Sequence, residues 1–311
     1  MKKIFACLSL GLASASYAES RNLIGSSEAD IKDFPASISA QFPLEGGYGS
    51  CTATIVGPQA LLIASHCVSD NPNGSFTVGA NKYKIACTMT DLYRRGTDHD
   101  LALCKIDHAV TGVVFENVNL NAAIVQVGDT LQLTGYGCVF PNGSGSGSGG
   151  NDGVYRIGEA KVQTLPNSTY SFDYVTIGKS ALCQGDSGGP AFKYLDAQKK
   201  YRVVVSANSK GNIQDTSYLA STSTPESVNF IKTWAKNNNV LVCGVHADAP
   251  GCRPFADVTP KTPDGGSTAC PASVIDTNLI AYRSCLIENT MSVSDCDKVV
   301  DSVEECRARK N

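Results

Sequence analysis

The sequence predicts an all-β protein built from antiparallel barrels or a sandwich, and three observations carry that reading. Residues 23 to about 220 hold many short runs rich in Val, Ile, Thr, Tyr and Leu. Gly, Asn, Asp and Pro punctuate them at short intervals. Helical patterns are scarce before position 225, so the βαβ alternation of a parallel sheet is excluded.

The elements follow in order. Lys2 and Lys3, the apolar stretch "IFACLSLGLASA" and the small residues Ser16 and Ala18 form an export leader, expected to be cut after Ala18. A two-lysine leader suggests a bacterial secreted protein, periplasmic or released. That stretch is too short to span a bilayer and no other segment is long enough, so no transmembrane segment is expected. Candidate strands are "ASISAQF", "CTATIVG", "ALLIASH", "KYKIACTM", "LALCKI", "TLQLTGYG", "YRIGEAKVQTL", "DYVTIG", "PAFKYL" and "YRVVVSAN". The segment 141–153, "PNGSGSGSGGNDG", has the composition of a flexible surface loop. In "PESVNFIKTWAKNNN", Val228, Ile231, Trp234 and Ala235 recur at helical spacing behind Pro225, which predicts a closing amphipathic helix. Residues 243–311 form a Cys-rich extension with two expected helices, 273–289 and 292–310, the second capped by Ser292 or Ser294. So small a piece needs disulfides to hold it.

Composition bounds the function. With 42% apolar and 18% charged residues the chain is globular, and a net charge of −3 makes no electrostatic case for nucleic acid or an anionic membrane. Cys7 leaves with the leader, so twelve of thirteen cysteines remain, an even number that suits a disulfide-linked protein in an oxidising compartment. No CxxC pair or His–Cys cluster suggests a metal, and no cofactor is expected.

"ALCQGDSGGPAF", 181–192, puts Gly185, Gly188 and Gly189 around Asp186 and Ser187. On its own this is either a tight turn or a site that needs bare backbone around one hydroxyl. A serine nucleophile needs a base, and the base needs an orienting acid. Of the four histidines, His66 in "LLIASHCV" directly follows an apolar run. Asp100 in "DHDLALCKI" opens another. His99, beside Asp100 on the opposite strand face, is expected at the surface. So are His108 and His246, which carry no motif.

These motifs resemble the trypsin/chymotrypsin family of serine peptidases. "GDSGGP", "ASHC" and "DLAL" match its serine, histidine and aspartate motifs in order, with Ser65 replacing the usual Ala. "LTGYG" resembles its mid-chain Gly-aromatic-Gly, and "LIGSSEADIKDFPASIS" its mature N-terminus. The resemblance covers about 23–242. It implies two antiparallel β-barrels with a closing C-terminal helix and the active site between the barrels. It further implies a secreted endopeptidase acting on proteins or peptides as a monomer, with Ser187 as nucleophile, His66 as base and Asp100 as orienting acid. Gly185 and Ser187 would supply the oxyanion N–H groups. Residues 19–22 would be a short pro-segment removed by an activating protease, giving Leu23 an α-ammonium that pairs with Asp186. Cleavage after Asn22 fits the register, while Arg21 is the more usual cutting point. Until the cut, the loop around Asp186 is expected to stay disordered.

For specificity, the resemblance sets Ala181 and Leu182 at the pocket floor and aligns Ser206, Ala207 and Asn208 with the pocket wall. Uncharged Ala181 and Leu182 favour an apolar or small residue before the scissile bond, whereas Asp215, if turned inward, would favour a basic one. Family likeness implies Cys51–Cys67 and sets Cys138 against Cys183. Cys87–Cys104 would join two strands of the first barrel. In the extension, two antiparallel helices suit Cys285–Cys296 and Cys270–Cys306, leaving Cys243–Cys252. The competing reading is a non-catalytic binding protein on the same fold. An α/β-hydrolase esterase is excluded by chain order, although Gly185–Gly189 fits GxSxG by letters.

Overall fold

The computed structural model describes residues 23, 25–138, 153–167, 171–246 and 249–254. The leader, the pro-segment, nearly all of the Gly/Ser loop, the two helices of the extension and Cys270, Cys285, Cys296 and Cys306 lie outside the described residues.

The chain is all-β, with two closed six-stranded antiparallel barrels and a C-terminal helix. The first barrel contains β2 (Ser37–Leu44), β3 (Gly47–Gly57), β4 (Ala60–Ile63), β5 (Asn73–Val78), β6 (Asn81–Met89) and β7 (Ala102–Ile106). Their order is β2-β3-β4-β7-β6-β5, closed where Gln41 meets Ser75. The second barrel contains β8 (Thr130–Gly135), β9 (Arg156–Thr164), β10 (Asp173–Ile177), β11 (Pro190–Tyr194), β12 (Arg202–Gly211) and β13 (Thr216–Ser221), with the short β1 (Ser27–Glu28) added to β9. Pairing of β8 with β9 closes it.

Alternation along each strand divides the core. Ala102, Cys104 and Ile106 of β7 point into the first barrel, with Ile55, Tyr83 and Ile85. Their neighbours Leu101 and Leu103 point into a layer shared with Val204, Ala207 and Phe192 of the second barrel. Val203 and Val205 turn the other way, into the second barrel with Leu131, Leu133 and Leu219. This shared apolar layer fixes one barrel against the other, and the site sits where they meet. A short helix α1 (Asp91–Arg94) follows β6. Helix α2 (Pro225–Asn238) closes on the shared layer through Ile231, Trp234 and Ala235. Thr224 caps it by accepting from Ser227 N, and Asn239 ends it in the left-handed region at φ 52°.

The sulfurs of Cys51 and Cys67, Cys87 and Cys104, Cys138 and Cys183, and Cys243 and Cys252 are bonded. Cys87 and Cys104 are direct cross-strand partners on β6 and β7. The first compact unit runs on past Val242 to Ala256. Arg253 and Arg202 both bind the fully buried Glu116, Arg253 at 2.9 Å and Arg202 at 2.7 Å. Cys243 N donates to Val56 O, so the first residues of the expected extension belong to the barrel unit. Among the described residues no helix is long and apolar enough to cross a membrane.

Candidate active site

His66 sits in a tight 3-10 turn, Ser65–Cys67, directly after β4. Asp100 lies just before β7, the strand paired with β4. Their spacing is locked three ways. Ser65 Oγ donates to Leu101 O at 2.7 Å, His66 N donates to Asp100 Oδ1 at 2.8 Å, and the Cys51–Cys67 disulfide ties the turn to β3. His66 Nδ1 is then 2.7 Å from Asp100 Oδ2, which makes Nδ1 the donor and leaves Nε2 as the ring's basic atom. Asp100 is nearly buried. Burial alone would raise its carboxyl, but the hydrogen bond and charge of His66 and the Ser209 hydroxyl outweigh that and hold it below the ordinary value.

Ser187 comes from the loop before β11. Gly188 (φ 78°) presses that loop on the histidine side: a Cβ there would lie 2.5 Å from Thr52 O and 3.0 Å from Ala64 N. Gly185 (φ 97°) is left-handed as well, and its carbonyl accepts from Thr52 N and Thr52 Oγ1. With that carbonyl turned to the first barrel, the N–H groups of Gly185 and Ser187 have no protein acceptor among the described residues. Nor does the Ser187 hydroxyl make a hydrogen bond to His66 among them; such bonds are often long before substrate arrives.

Asp186 is fully buried. Gly137 N donates to its Oδ1 at 2.8 Å and Cys183 N to its Oδ2 at 2.9 Å. Burial pushes its carboxyl up to about 7, against the pull of those backbone bonds and of the Arg156 charge. The loop is held by these bonds, by Cys138 N on Gln184 O and by the Cys138–Cys183 disulfide. Leu23 is buried in the second-barrel core.

Ser206 and Asn208, expected at the pocket wall, are fully buried, and Asn208 Nδ2 donates to Thr134 O and Asp186 O. Ser209 is the residue at the site, its hydroxyl donating to Asp100 Oδ2 at 2.7 Å. The pairing of β12 with β13 slips by one residue between Asn208 and Lys210, at Ser209. Beyond Ala207, β12 has lost its β11 partner strand but keeps β13, so Ser209–Gly211 offers an open strand edge beside Asp100. Ala181 and Leu182 are buried, and Leu182 N donates to Ser217 Oγ, a residue the sequence reading missed. Asp215 is exposed. Its Oδ1 is taken by Asn212 Nδ2 and Thr216 Oγ1, both at 2.8 Å, and these bonds hold its carboxyl below the ordinary value.

His99 also departs from expectation. It is buried, with Nε2 on Ser227 Oγ of α2, because the end of β7 is covered by that helix. His108 is exposed and His246 half-buried. Sγ of Cys51 and Cys67 and a ring nitrogen of His66 cluster within 4.8 Å, but the sulfurs are bonded to each other and offer no thiolate to a metal.

Two six-stranded barrels with a histidine–carboxylate pair on one and a glycine-flanked serine on the other define the class of two-barrel serine hydrolases. Residues 23–229 match the Trypsin family, and the chain belongs to that family. It is 23% identical over 230 residues to "Trypsin, alkaline C" of Manduca sexta, covering 62% of this chain and 85% of that protein. It is 26% identical over 193 residues to "Hypodermin-B" of Hypoderma lineatum (54% and 72%). With the "Trypsin" of Phaedon cochleariae it shares 25% over 202 residues (54% and 73%).

Proposed function

We propose that the protein is an exported serine endopeptidase that cuts protein or peptide substrates through an acyl-enzyme. One observation carries this: His66 is fixed on Asp100, which Ser209 also holds, while the Gly185 and Ser187 N–H groups have no protein acceptor among the described residues. In the reaction Ser187 Oγ attacks the scissile carbonyl as His66 Nε2 takes its proton. The imidazolium formed is stabilised by Asp100 through Nδ1–H. The carbonyl oxygen becomes an oxyanion that accepts from Gly185 N and Ser187 N, where one such donor is worth about 3 kcal/mol. His66 passes the proton to the leaving amine. A water, deprotonated by the same ring, then hydrolyses the ester and returns the proton to Ser187.

The open edge Ser209–Gly211 suits an extended substrate chain. Ala181 and Leu182 support an apolar or small residue before the cut, and the outward Asp215 weighs against a basic one. The buried Leu23 and Asp186 support activation by cleavage before Leu23: its α-ammonium would supply the cation that the buried carboxylate calls for. The leader and disulfides support export, periplasmic or secreted, in a protein of bacterial type. The chain is read as a peptidase domain followed by a Cys-rich extension, acting as a monomer.

The second reading, a binding protein that keeps the cleft, draws on the missing Ser187–His66 bond. Labelling with a fluorophosphonate separates the two. The peptidase reading expects one adduct per chain, mapped to Ser187 by mass spectrometry and lost in His66→Ala. An unlabelled Ser187 in a chain sequenced from Leu23 would favour the binding protein.

A further inference from the structure

Asp98, His99 and Asp100 are consecutive, and each side chain reaches a different element beyond the first barrel. Asp100 Oδ2 accepts from Ser209 Oγ of β12 at 2.7 Å. His99 Nε2 lies 2.7 Å from Ser227 Oγ of α2. Asp98 takes Ser171 and Phe172, the two residues that lead into β10. Ser171 Oγ donates to its Oδ2 at 2.7 Å, and Phe172 N to its Oδ1 at 3.2 Å. The mechanism proposed above uses Asp100 and leaves Asp98 without a task.

The partners of Asp98 are themselves fixed. Ser171 Oγ accepts from Asp173 N at 3.2 Å, so its own proton is the one that goes to Asp98. Phe172 O accepts from Ser221 N, which ties this segment to β13, and the Phe172 ring packs on His99 with centroids 4.5 Å apart. Asp98 is half-buried, which strengthens both bonds by keeping water partly away. Its main chain then leads straight to the triad acid. Asp100 N donates to Asp98 O at 2.7 Å, a three-residue turn with little slack, and Thr90 Oγ1 holds His99 O at 2.8 Å from the first-barrel side. A displacement of Asp98 therefore moves Asp100.

We propose that Asp98 is a positioning residue for the triad: its carboxylate ties the turn that carries Asp100 to the second barrel at Ser171 and Phe172, and so keeps Asp100 in register with the His66 ring. This rests on the reading of His66, Asp100 and Ser187 as a hydrolytic triad. Asp98 acts only through Asp100. Ser209 holds the Asp100 carboxylate by its tip, whereas Asp98 holds the backbone behind it, and the two together fix both its place and its rotation.

The test compares two variants. Asp98→Ala loses both bonds. Asp98→Asn keeps the clamp without the charge, because its oxygen accepts from Phe172 N while its amide donates to Ser171 Oγ. Proton NMR of the full-length Ser187→Ala protein reads the His66 Nδ1–H, which is shifted far downfield by its bond to a carboxylate; His66→Ala assigns it. The resonance is expected in the parent and in Asp98→Asn, and is expected to be broadened or lost by exchange with water in Asp98→Ala. With Ser187 restored, kcat on a peptide should fall about tenfold in Asp98→Ala with KM little changed, and recover in Asp98→Asn. A resonance unchanged in a folded Asp98→Ala, or lost equally in both variants, would overturn the proposal. If Asp98→Ala does not fold, Ser171→Ala removes one of the two donors and must broaden the same resonance. A parent that shows the resonance but cuts no peptide would defeat the hydrolytic reading, while the resonance would still decide the clamp.

Discussion

Replacing Asp186 with Asn in the chain that begins at Glu19, with Ser187→Ala to prevent self-cutting, removes the pH response of one buried carboxylate. Folding raises that carboxyl from 3.8 to about 7. The gap of about 3.2 pH units, at 1.36 kcal/mol each, corresponds to about 4 kcal/mol. The folded chain holds the proton more tightly than the unfolded one. The stability this contributes is therefore complete below pH 3.8 and is lost as pH rises through 7. Asp173, also buried and raised to about 7, acts in the same direction, so the parent carries two such responses and Asp186→Asn keeps one. Any constant cost of placing an amide against Gly137 N and Cys183 N shifts the variant's curve without changing its slope. Urea unfolding with disulfides intact, stepped from pH 4 to 8, reads the difference. The parent should lose about 4 kcal/mol more than Asp186→Asn across that range. Parallel curves would refute the reasoning. In the chain that begins at Leu23, an ammonium beside Asp186 would lower its carboxyl and flatten the parent's slope.

Other perturbations test the frame around the site. Ser209→Ala removes a hydrogen bond to a charged group and should lower kcat/KM by about tenfold, mostly in kcat, with the fold intact. Glu116→Gln leaves Arg202 buried without its carboxylate and should cost about 3–5 kcal/mol in urea unfolding. Converting both Cys138 and Cys183 to Ser opens a loop across 45 residues. Thermal unfolding should then show a loss of about 2–4 kcal/mol, accompanied by reduced activity, because the same bond holds the segment before Ser187.

The strands that the sequence revealed most plainly are those with an unbroken apolar run, such as β4 (ALLI), the ALC of β7 and the VVV of β12. Missed were β5 (NGSFTV) and β13 (TSYLAS), whose polar faces weaken the apolar run although each has barrel partners on both sides. Tertiary pairing, not local composition, makes them strands. At the site, the residues proposed to carry chemistry stand out in the sequence because their motifs are contiguous. The burial of Ser206 and Asn208 was not legible there, because it is set by β8, β11 and the loop before Ser187 packing around β12. His99 was misplaced for a related reason. Strand alternation says which face a residue occupies, but not that α2 covers that face.

The central claim is that Ser187 hydrolyses peptide bonds, and a peptide-library digest tests it most directly. The protein, sequenced to begin at Leu23, and its Ser187→Ala variant are each incubated with a library holding every residue type before the scissile bond. The account predicts cuts by the parent alone, after apolar or small residues. Cuts that persist in Ser187→Ala, or none from the intact Leu23 form, would contradict it.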